Sequence, residues 1–302
     1  MHKLSFTAKF VLLNIVVLLL ASGCARPTQE ALSSEQESAT ISTERPRRLR
    51  DGIQTFLVTC LDTFEVPQNS ETYRNGNKAD FIMVMILDEA QGSVTALQLN
   101  PDTMVHFSVP GMSETLELPL GLVCSYGSGG SDSCLNMKKA VTGLLGGISM
   151  DYYMAFTADS LVTVNDMVGG VTIPVSEQFP GQDSLLLGEQ VKDFFCFREE
   201  TDVSNEVHMG HQQQYIAELY QPFVENTQNE NFLTKLTVAL GDGFLTDLTL
   251  TQMTQLLQSM EGLTLDETIV TIPGEAIRTD GQFRFHVDTD ALDRTVNSLF
   301  CS

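Results

Sequence analysis

Carboxylates mark the ends of the most apolar runs in this chain. IQTFLVTCLD, residues 53–62, delivers Asp62; DFIMVMILD, residues 80–88, opens on Asp80 and closes on Asp88. VTALQL leads into the tight polar corner NPDTMV, residues 100–105, which sets Pro101 beside Asp102 and Thr103. Side chains of this kind either cap strand ends or carry charge and proton chemistry, and spacing alone does not choose between the two. Sulfur is the second chemical resource, in Cys24, Cys60, Cys124, Cys134, Cys196 and Cys301. Cys124 and Cys134 bracket the flexible loop SYGSGGSDS, so a disulfide across it is the expected pairing. The cysteines do not point to a metal centre, because no second close pair supplies the remaining ligands. His208, His211 and Cys196 make a poor transition-metal set, since histidines three apart on a helix are common on solvated faces.

The elements that must position these groups read as alternating strands and helices. Residues 53–62, 80–88 and 93–99 form three apolar strands, the last two joined by a turn at residues 89–92. Met137, Ala140, Val141, Leu144 and Leu145 share a helical face that Gly146 and Gly147 terminate. DYYMAF then reads as a strand, Leu161, Val164, Met167 and Val168 as a second helix, and VTIPV as another strand. Ile216, Leu219, Tyr220 and Phe223 fall at helical spacing, and Thr249 stands three residues ahead of Gln252 as in a capping box. ETIVTIPGEA and QFRFHV read as a closing pair of strands. This alternation predicts an α/β sandwich, and no composition break divides residues 51–302 into two domains.

The amino end has a different character. Two lysines precede an almost wholly apolar run, residues 10–21, that closes on Ala-Ser-Gly-Cys. The run is too short to span a bilayer comfortably and has the order of a secretion signal, here residues 1–23. The small-residue ending resembles a bacterial lipobox, which makes Cys24 the lipidated first residue of an extracytoplasmic lipoprotein held at the outer face of the cell membrane; the alternative is an ordinary signal in which Cys24 is incidental. Residues 24–50 read as a disordered tether ending in RPRRLR, residues 45–50, which either meets anionic lipid headgroups or forms a solvated edge.

The whole chain carries a formal charge of −22. Past Arg50, 35 acids face ten lysines and arginines, a balance that repels nucleic acid. A hydrophobic content of 42% is ample for a packed core.

Taken in order, eight segments resemble the LytR-CpsA-Psr family, extracytoplasmic phosphotransferases that move glycopolymers from polyprenyl-pyrophosphate carriers onto peptidoglycan. They are the first strand ending at Asp62, KADFIMVMILD, LQLNPDTMV, the loop around SYGSGG, LLGGISMDYYMAF, VNDMVGGVTIPV, LLLGEQVKDFFCFR and HMGHQQQYI, and the resemblance runs from about Ile53 to the carboxyl end. It implies an α/β/α sandwich with a central mixed β-sheet flanked by helices. It also implies magnesium on Asp62 and Asp80, catalytic roles for Asp80, Asp102 and Arg198, and contacts to the carrier's phosphates from Arg198, His208, His211 and Gln212. The partners it implies are a polyprenyl-linked glycan, peptidoglycan and the membrane.

Against the family pattern, several basic positions have changed. Pro101 stands where the family has an arginine that helps hold the pyrophosphate. Cys196 replaces the first arginine of an Arg-x-Arg pair whose second member is Arg198, and His208 and His211 replace two arginines ahead of the retained Gln212. Cys60 occupies a position where the family favours a small residue, so Cys60 and Cys196 form either a disulfide or thiol pair across the pocket, or two chance buried substitutions. Each lost charge-assisted bond to phosphate costs roughly 1.5–3 kcal/mol. Two functions follow: an active glycopolymer phosphotransferase with an unusual pocket, or a catalytically weak lipoprotein of the same fold that binds an envelope lipid, a glycan or a partner protein.

Overall fold

A computed structural model describes residues 49–64, 75–109, 113–175, 184–227, 229, 231–279 and 282–301. The signal segment, Cys24 and the tether up to residue 48 lie outside the described residues. Pro46–Ser302 forms a compact unit.

Its centre is a mixed sheet. The strands in chain order are β1 (Ile53–Leu61), β2 (Ala79–Asp88), β3 (Ser93–Gln98), β4 (Met104–Ser108), β5 (Thr115–Pro119), β6 (Tyr152–Thr157), β7 (Val171–Ile173), β8 (Ser184–Leu186), β9 (Phe244–Thr246), β10 (Thr264–Leu265), β11 (Val270–Thr271), β12 (Gly274–Thr279) and β13 (Gln282–Val287). The sheet runs β10-β3-β2-β1-β6-β9, with β11 also on β3. β1 is antiparallel to β2 and parallel to β6, and β3 is antiparallel to β2 and parallel to β10 and β11. The pairs β4/β5, β7/β8 and β12/β13 stand outside it as antiparallel hairpins.

The helices are α1 (Ser131–Leu144), α2 (Ala158–Met167), α3 (Gln190–Phe195), α4 (Glu206–Thr227), α5 (Phe232–Leu240), α6 (Leu250–Ser259) and α7 (Thr289–Phe300). Side chains of a strand alternate between faces, and here both faces are apolar. Leu57, Leu61, Ile82, Val84 and Ile86 pack with Met137 and Val141 of α1 and Val296 and Phe300 of α7. The alternate residues Phe56, Cys60, Phe81, Met83 and Leu87 pack with residues of α2, α3, α4 and α6. Burial on both faces is why β2 reads as a near-continuous apolar run rather than an alternating one. The α/β/α sandwich with a central mixed sheet is the observed fold.

Several local readings hold in detail and others shift. Thr249 and Gln252 form the expected reciprocal capping box on α6. The closing pair of strands divides at Pro273: β11 joins the main sheet, and β12 begins at Gly274 to pair with β13. Arg50 is structural, since its guanidinium donates to the Leu299 carbonyl at the end of α7 and lies 3.4 Å from Asp88. The expected Cys124–Cys134 disulfide is absent, and both are buried free thiols. Cys124 Sγ donates instead to Gly121 O, and the intervening loop is held by Ser133 Oγ donating to Cys124 O at 2.6 Å and by Asn75 Nδ2 donating to Cys124 O at 3.1 Å and Gly127 O at 3.3 Å. Backbone carbonyls, satisfied by a serine and an asparagine, do the work assigned to the covalent bridge.

One glycine fixes the approach of two site-bearing segments. Gly121 donates its N–H to Pro101 O at 2.7 Å, and a Cβ there would lie 2.5 Å from Ala79 O and 3.2 Å from Pro101 Cβ. Gly121→Ala is therefore expected to cost about 1–3 kcal/mol, read as a lower urea midpoint at constant slope; an unchanged midpoint would mean that the corner and β2 separate freely.

Candidate active site

An irregularity in the sheet aims the central acid. Cys60 pairs with Phe81 but Leu61 pairs with Ala79, so Asp80 is the extra residue of a β-bulge at the start of β2. A bulge leaves its additional residue outside the ladder and turns its side chain away from the regular alternation. β1 ends here as well, with Asp62 N donating to Lys78 O at 3.0 Å, which brings Asp62 to the same end of the sheet.

The groups that meet Asp80 arrive from the start of α4 and the segment before it. Asp202 anchors this start, its carboxylate accepting from the backbone N–H groups of Glu206 and Val207 at 3.0 Å and His208 at 3.1 Å. Free N–H groups at a helix start welcome such an anion. His208 and Gln212 then stand one turn apart on the buried face of α4. His208 Nε2 lies 3.0 Å from Asp80 Oδ2, and the Arg198 guanidinium pairs with Oδ1 of the same carboxylate. Burial alone would raise the Asp80 carboxyl, but His208 and Arg198 outweigh it and hold the group at about 2. His208 is 1% exposed, and its Nδ1 faces the Phe197 carbonyl at 2.7 Å. Because a carbonyl only accepts, Nδ1 carries a proton. Gln212 donates to Asp80 O at 3.3 Å, lies 2.9 Å from His208 Nε2, and accepts from Gln98 Nε2 at 2.8 Å.

Asn205 joins this cluster to the polar corner, a role not visible from the sequence reading. It is buried, with a φ of 62° just ahead of α4, a left-handed conformation that asparagine tolerates better than most residues. Its Oδ1 accepts from Arg198 Nη1 at 3.0 Å, and its Nδ2 donates to Asn100 Oδ1 at 2.9 Å and Asp102 Oδ2 at 2.8 Å. Asp102 thus reaches the site through Asn205 and Arg198. The signal that would have found Asn205 is the unusual Asp-x-x-Asn stretch that opens α4.

Other expected residues take different positions. His211 turns to the end of α3, its Nδ1 3.0 Å from Phe194 O and its ring stacked on Phe197 with centroids 4.7 Å apart. Burial lowers its proton affinity, although the Phe194 carbonyl opposes that. Cys60 and Cys196 are free thiols; burial, reinforced by the charge of Asp80, pushes both up, and no disulfide joins them. The Asp62 carboxylate has no hydrogen bond or ion pair with the described residues, and partial burial, then Asp80, push it up.

Asp62 and Asp80 supply hard oxygen donors at one end of the sheet. Among the described residues no group of three or more His, Cys, Asp or Glu is arranged to hold a metal ion. Two carboxylates fit the kind of magnesium site in which phosphate oxygens and water complete the shell, not an all-protein cage.

Beside this polar centre the sandwich is incompletely filled. Phe81, the residue after Asp80, lines an apolar cavity of about 150 Å³ with Phe56, Met83, Ile216 and Tyr220. A second apolar cavity of about 220 Å³ shares Val58, Met154, Ile216, Leu219 and Phe223 with it and reaches Leu236 and Leu240 of α5. Together they make an oily path between the sheet and α4, α5 and α6, lined at Phe81 by the residue that follows Asp80.

The two acids respond oppositely to pH. Asp80, held below its usual 3.8 at about 2, contributes stability that is full above pH 4 and lost as pH falls through 2, so Asp80→Asn is expected to cost about 2 kcal/mol at neutral pH, a difference that closes as pH falls from 4 to 2. Asp62 is raised, which destabilises the fold at neutral pH, so Asp62→Asn is expected to raise Tm there and to have no effect in acid. Chemical denaturation of the three proteins across pH 2–7 checks both signs.

TagV of B. subtilis is 19% identical, the match covering 83% of this chain and 97% of that one at a TM-score of 0.64. A Streptococcus agalactiae protein, gbs0355, is 15% identical, covering 82% and 86% at a TM-score of 0.67. TagT, solved bound to LI-WTA, is 14% identical, covering 82% and 90% at a TM-score of 0.64. No curated protein matches the sequence. These likenesses carry the fold, and the LytR_cpsA_psr family model matches residues 17–300. The chain belongs to the LytR-CpsA-Psr family.

Proposed function

We propose that this protein is a membrane-anchored extracytoplasmic phosphotransferase of cell-wall assembly, which transfers a polyprenyl-pyrophosphate-linked glycopolymer to peptidoglycan. Family membership supports a cell-wall glycopolymer transferase role, and the TagT complex supports a glycan ligand for the fold. The observation that carries the finer reading is an apolar path one of whose lining residues, Phe81, directly follows Asp80 of the charged cluster in β2. A carrier with a hydrocarbon tail and a phosphate head has that same division.

The chain's own groups divide the work. The tail lies along Phe56, Met83, Ile216 and Tyr220, where apolar burial contributes about 25 cal/mol per Å². Arg198 meets phosphate oxygens with the donors not engaged by Asp80 and Asn205, which fits its planar fork. His208 and Gln212 hold Asp80 in place. As the acceptor hydroxyl oxygen bonds to phosphorus, the bond from phosphorus to the polyprenyl phosphate breaks, and the hydroxyl proton goes to Asp62, whose carboxylate forms no ion pair with the described residues and is raised toward proton uptake. Asp62 and Asp80 would hold magnesium, which when bound draws charge from the transferring phosphoryl group. Cys24, outside the described residues, supplies the lipid anchor in this reading.

A second reading has its own support. Arg198 is already engaged by Asp80 and Asn205, and Pro101 and Cys196 offer no guanidinium, so the protein binds a carrier or glycan with little turnover.

The full chain, given a labelled polyprenyl-pyrophosphate oligosaccharide, peptidoglycan fragments and magnesium, is expected to transfer label, and Asp80→Ala to lose at least 100-fold. Pro101→Arg is expected to raise kcat/KM about tenfold, the value of one charge-assisted bond. Carrier that raises Tm without transfer would select the binding reading; carrier that does neither would overturn both.

A further inference from the structure

The outer layer made by α5 and α6 is almost without charge. Lys235 is the single charged residue of α5, FLTKLTVAL, and α6, LTQMTQLLQS, has none. Residues 51–302 as a whole hold 35 acids against ten lysines and arginines, so these two helices stand apart from the domain that carries them. On α5 the inner face is Phe232, Leu236 and Leu240, which pack on Val164, Phe223 and Phe244, and the opposite face presents Lys235, Val238 and Ala239 to solvent. Val238, 77% exposed, is the most exposed large apolar side chain among the described residues, and Leu250 at the start of α6 is 49% exposed.

A cleft of about 360 Å³ brings these features together. Leu233 and Thr234 of α5 line it with Leu250, Thr254, Leu257 and Gln258 of α6. Thr234 stands one helical turn before Val238, so the cleft and the exposed valine lie on one side of the domain. Glu261, just past the end of α6, is the one charge lining the cleft, and it is exposed. Leu233 and Leu257 also line the inner apolar cavity of about 220 Å³, so the same two side chains border a surface cleft and the oily path.

Charge and shape select what covers this face. A domain with so many acids is repelled by an anionic surface, and it meets a bilayer with least repulsion through the side that has none. The exposed valine and leucine suit the acyl boundary, threonine and glutamine suit the depth of the headgroups, and Lys235 has a stem long enough to return its charge to water. A second copy of this chain would set cleft against cleft and leave space between them, contrary to the close packing of protein interfaces; acyl chains are fluid and fill such a space. We infer that α5 and α6 form the face on which the domain rests on a bilayer, with acyl chains entering the cleft between them. Delivery of a carrier through this face rests on the transfer reading; the docking itself does not.

The chain contains no tryptophan, so an introduced indole reports from a single place. Full-length Val238→Trp, Leu250→Trp and Leu135→Trp are reconstituted with phosphatidylcholine vesicles whose acyl chains carry bromine. Leu135 is 42% exposed on α1, the helix that covers the other face of the sheet, and serves as the control. The indoles of Val238→Trp and Leu250→Trp are expected to lose about half or more of their emission to the bromine, and that of Leu135→Trp to keep its own. Val238→Glu, at unchanged Tm, is expected to weaken the uptake of polyprenyl pyrophosphate from vesicles about tenfold, while a water-soluble short-chain pyrophosphate raises Tm as before. Equal quenching at all three positions overturns the inference, as does quenching at none. A blue shift that ignores bromine and grows with protein concentration also overturns it, in favour of a second copy on this face. Selective quenching in a protein that responds to neither pyrophosphate keeps the inference and removes the transfer reading.

Discussion

The site depends on one half-buried carboxylate that a β-bulge pushes out of register. Burial penalises the charge of Asp80, so its ionised form calls for compensating partners. Arg198 and His208 provide the compensation, and each has to be held in turn. Asn205 steadies the guanidinium, Phe197 O orients the imidazole, and Asp202 pins the start of the helix that carries His208. The whole connection from α3 to α4 is therefore organised by the need to neutralise a single side chain on β2.

That arrangement is suited to a chain with few cations. In a domain with an excess of acids, this end of the sheet retains one arginine and makes up its connectivity with amides. Gln98 with Gln212, and Asn100 with Asn205, form two buried side-chain hydrogen bonds. Amides offer direction without net charge, so they preserve shape where the arginines of the family pattern are missing. They do not replace those arginines' attraction for phosphate. The apolar path beneath α4 leaves the sheet face underfilled in a fold otherwise packed on both sides.

Much of this was legible in the chain. The alternation of strands and helices pointed to an α/β sandwich, Thr249 and Gln252 to the cap of α6, and the order of eight motifs to the family. Asp80, Arg198, His208 and Gln212 were named from that pattern and do converge. The disulfide was misread because a glycine-rich loop between two cysteines looks as though it needs a covalent clasp. Ser133 and Asn75 satisfy the carbonyls instead, from positions nine residues and farther away in sequence. His211 was grouped with His208 by spacing, yet a three-residue step rotates it about 60° around the helix, enough to stack it on Phe197 rather than face Asp80.

By itself, then, the sequence determined the sandwich, the family and the residue types at the polar end, because periodicity and motif order are properties of neighbours along the chain. Tertiary structure alone decided the bulge at Asp80, the bridging part of Asn205 and the unpartnered oxygen of Gln98. Each of these depends on which hydrogen-bonding group from a distant segment arrives opposite it, and a donor's partner is fixed by position in space, not by place in the sequence.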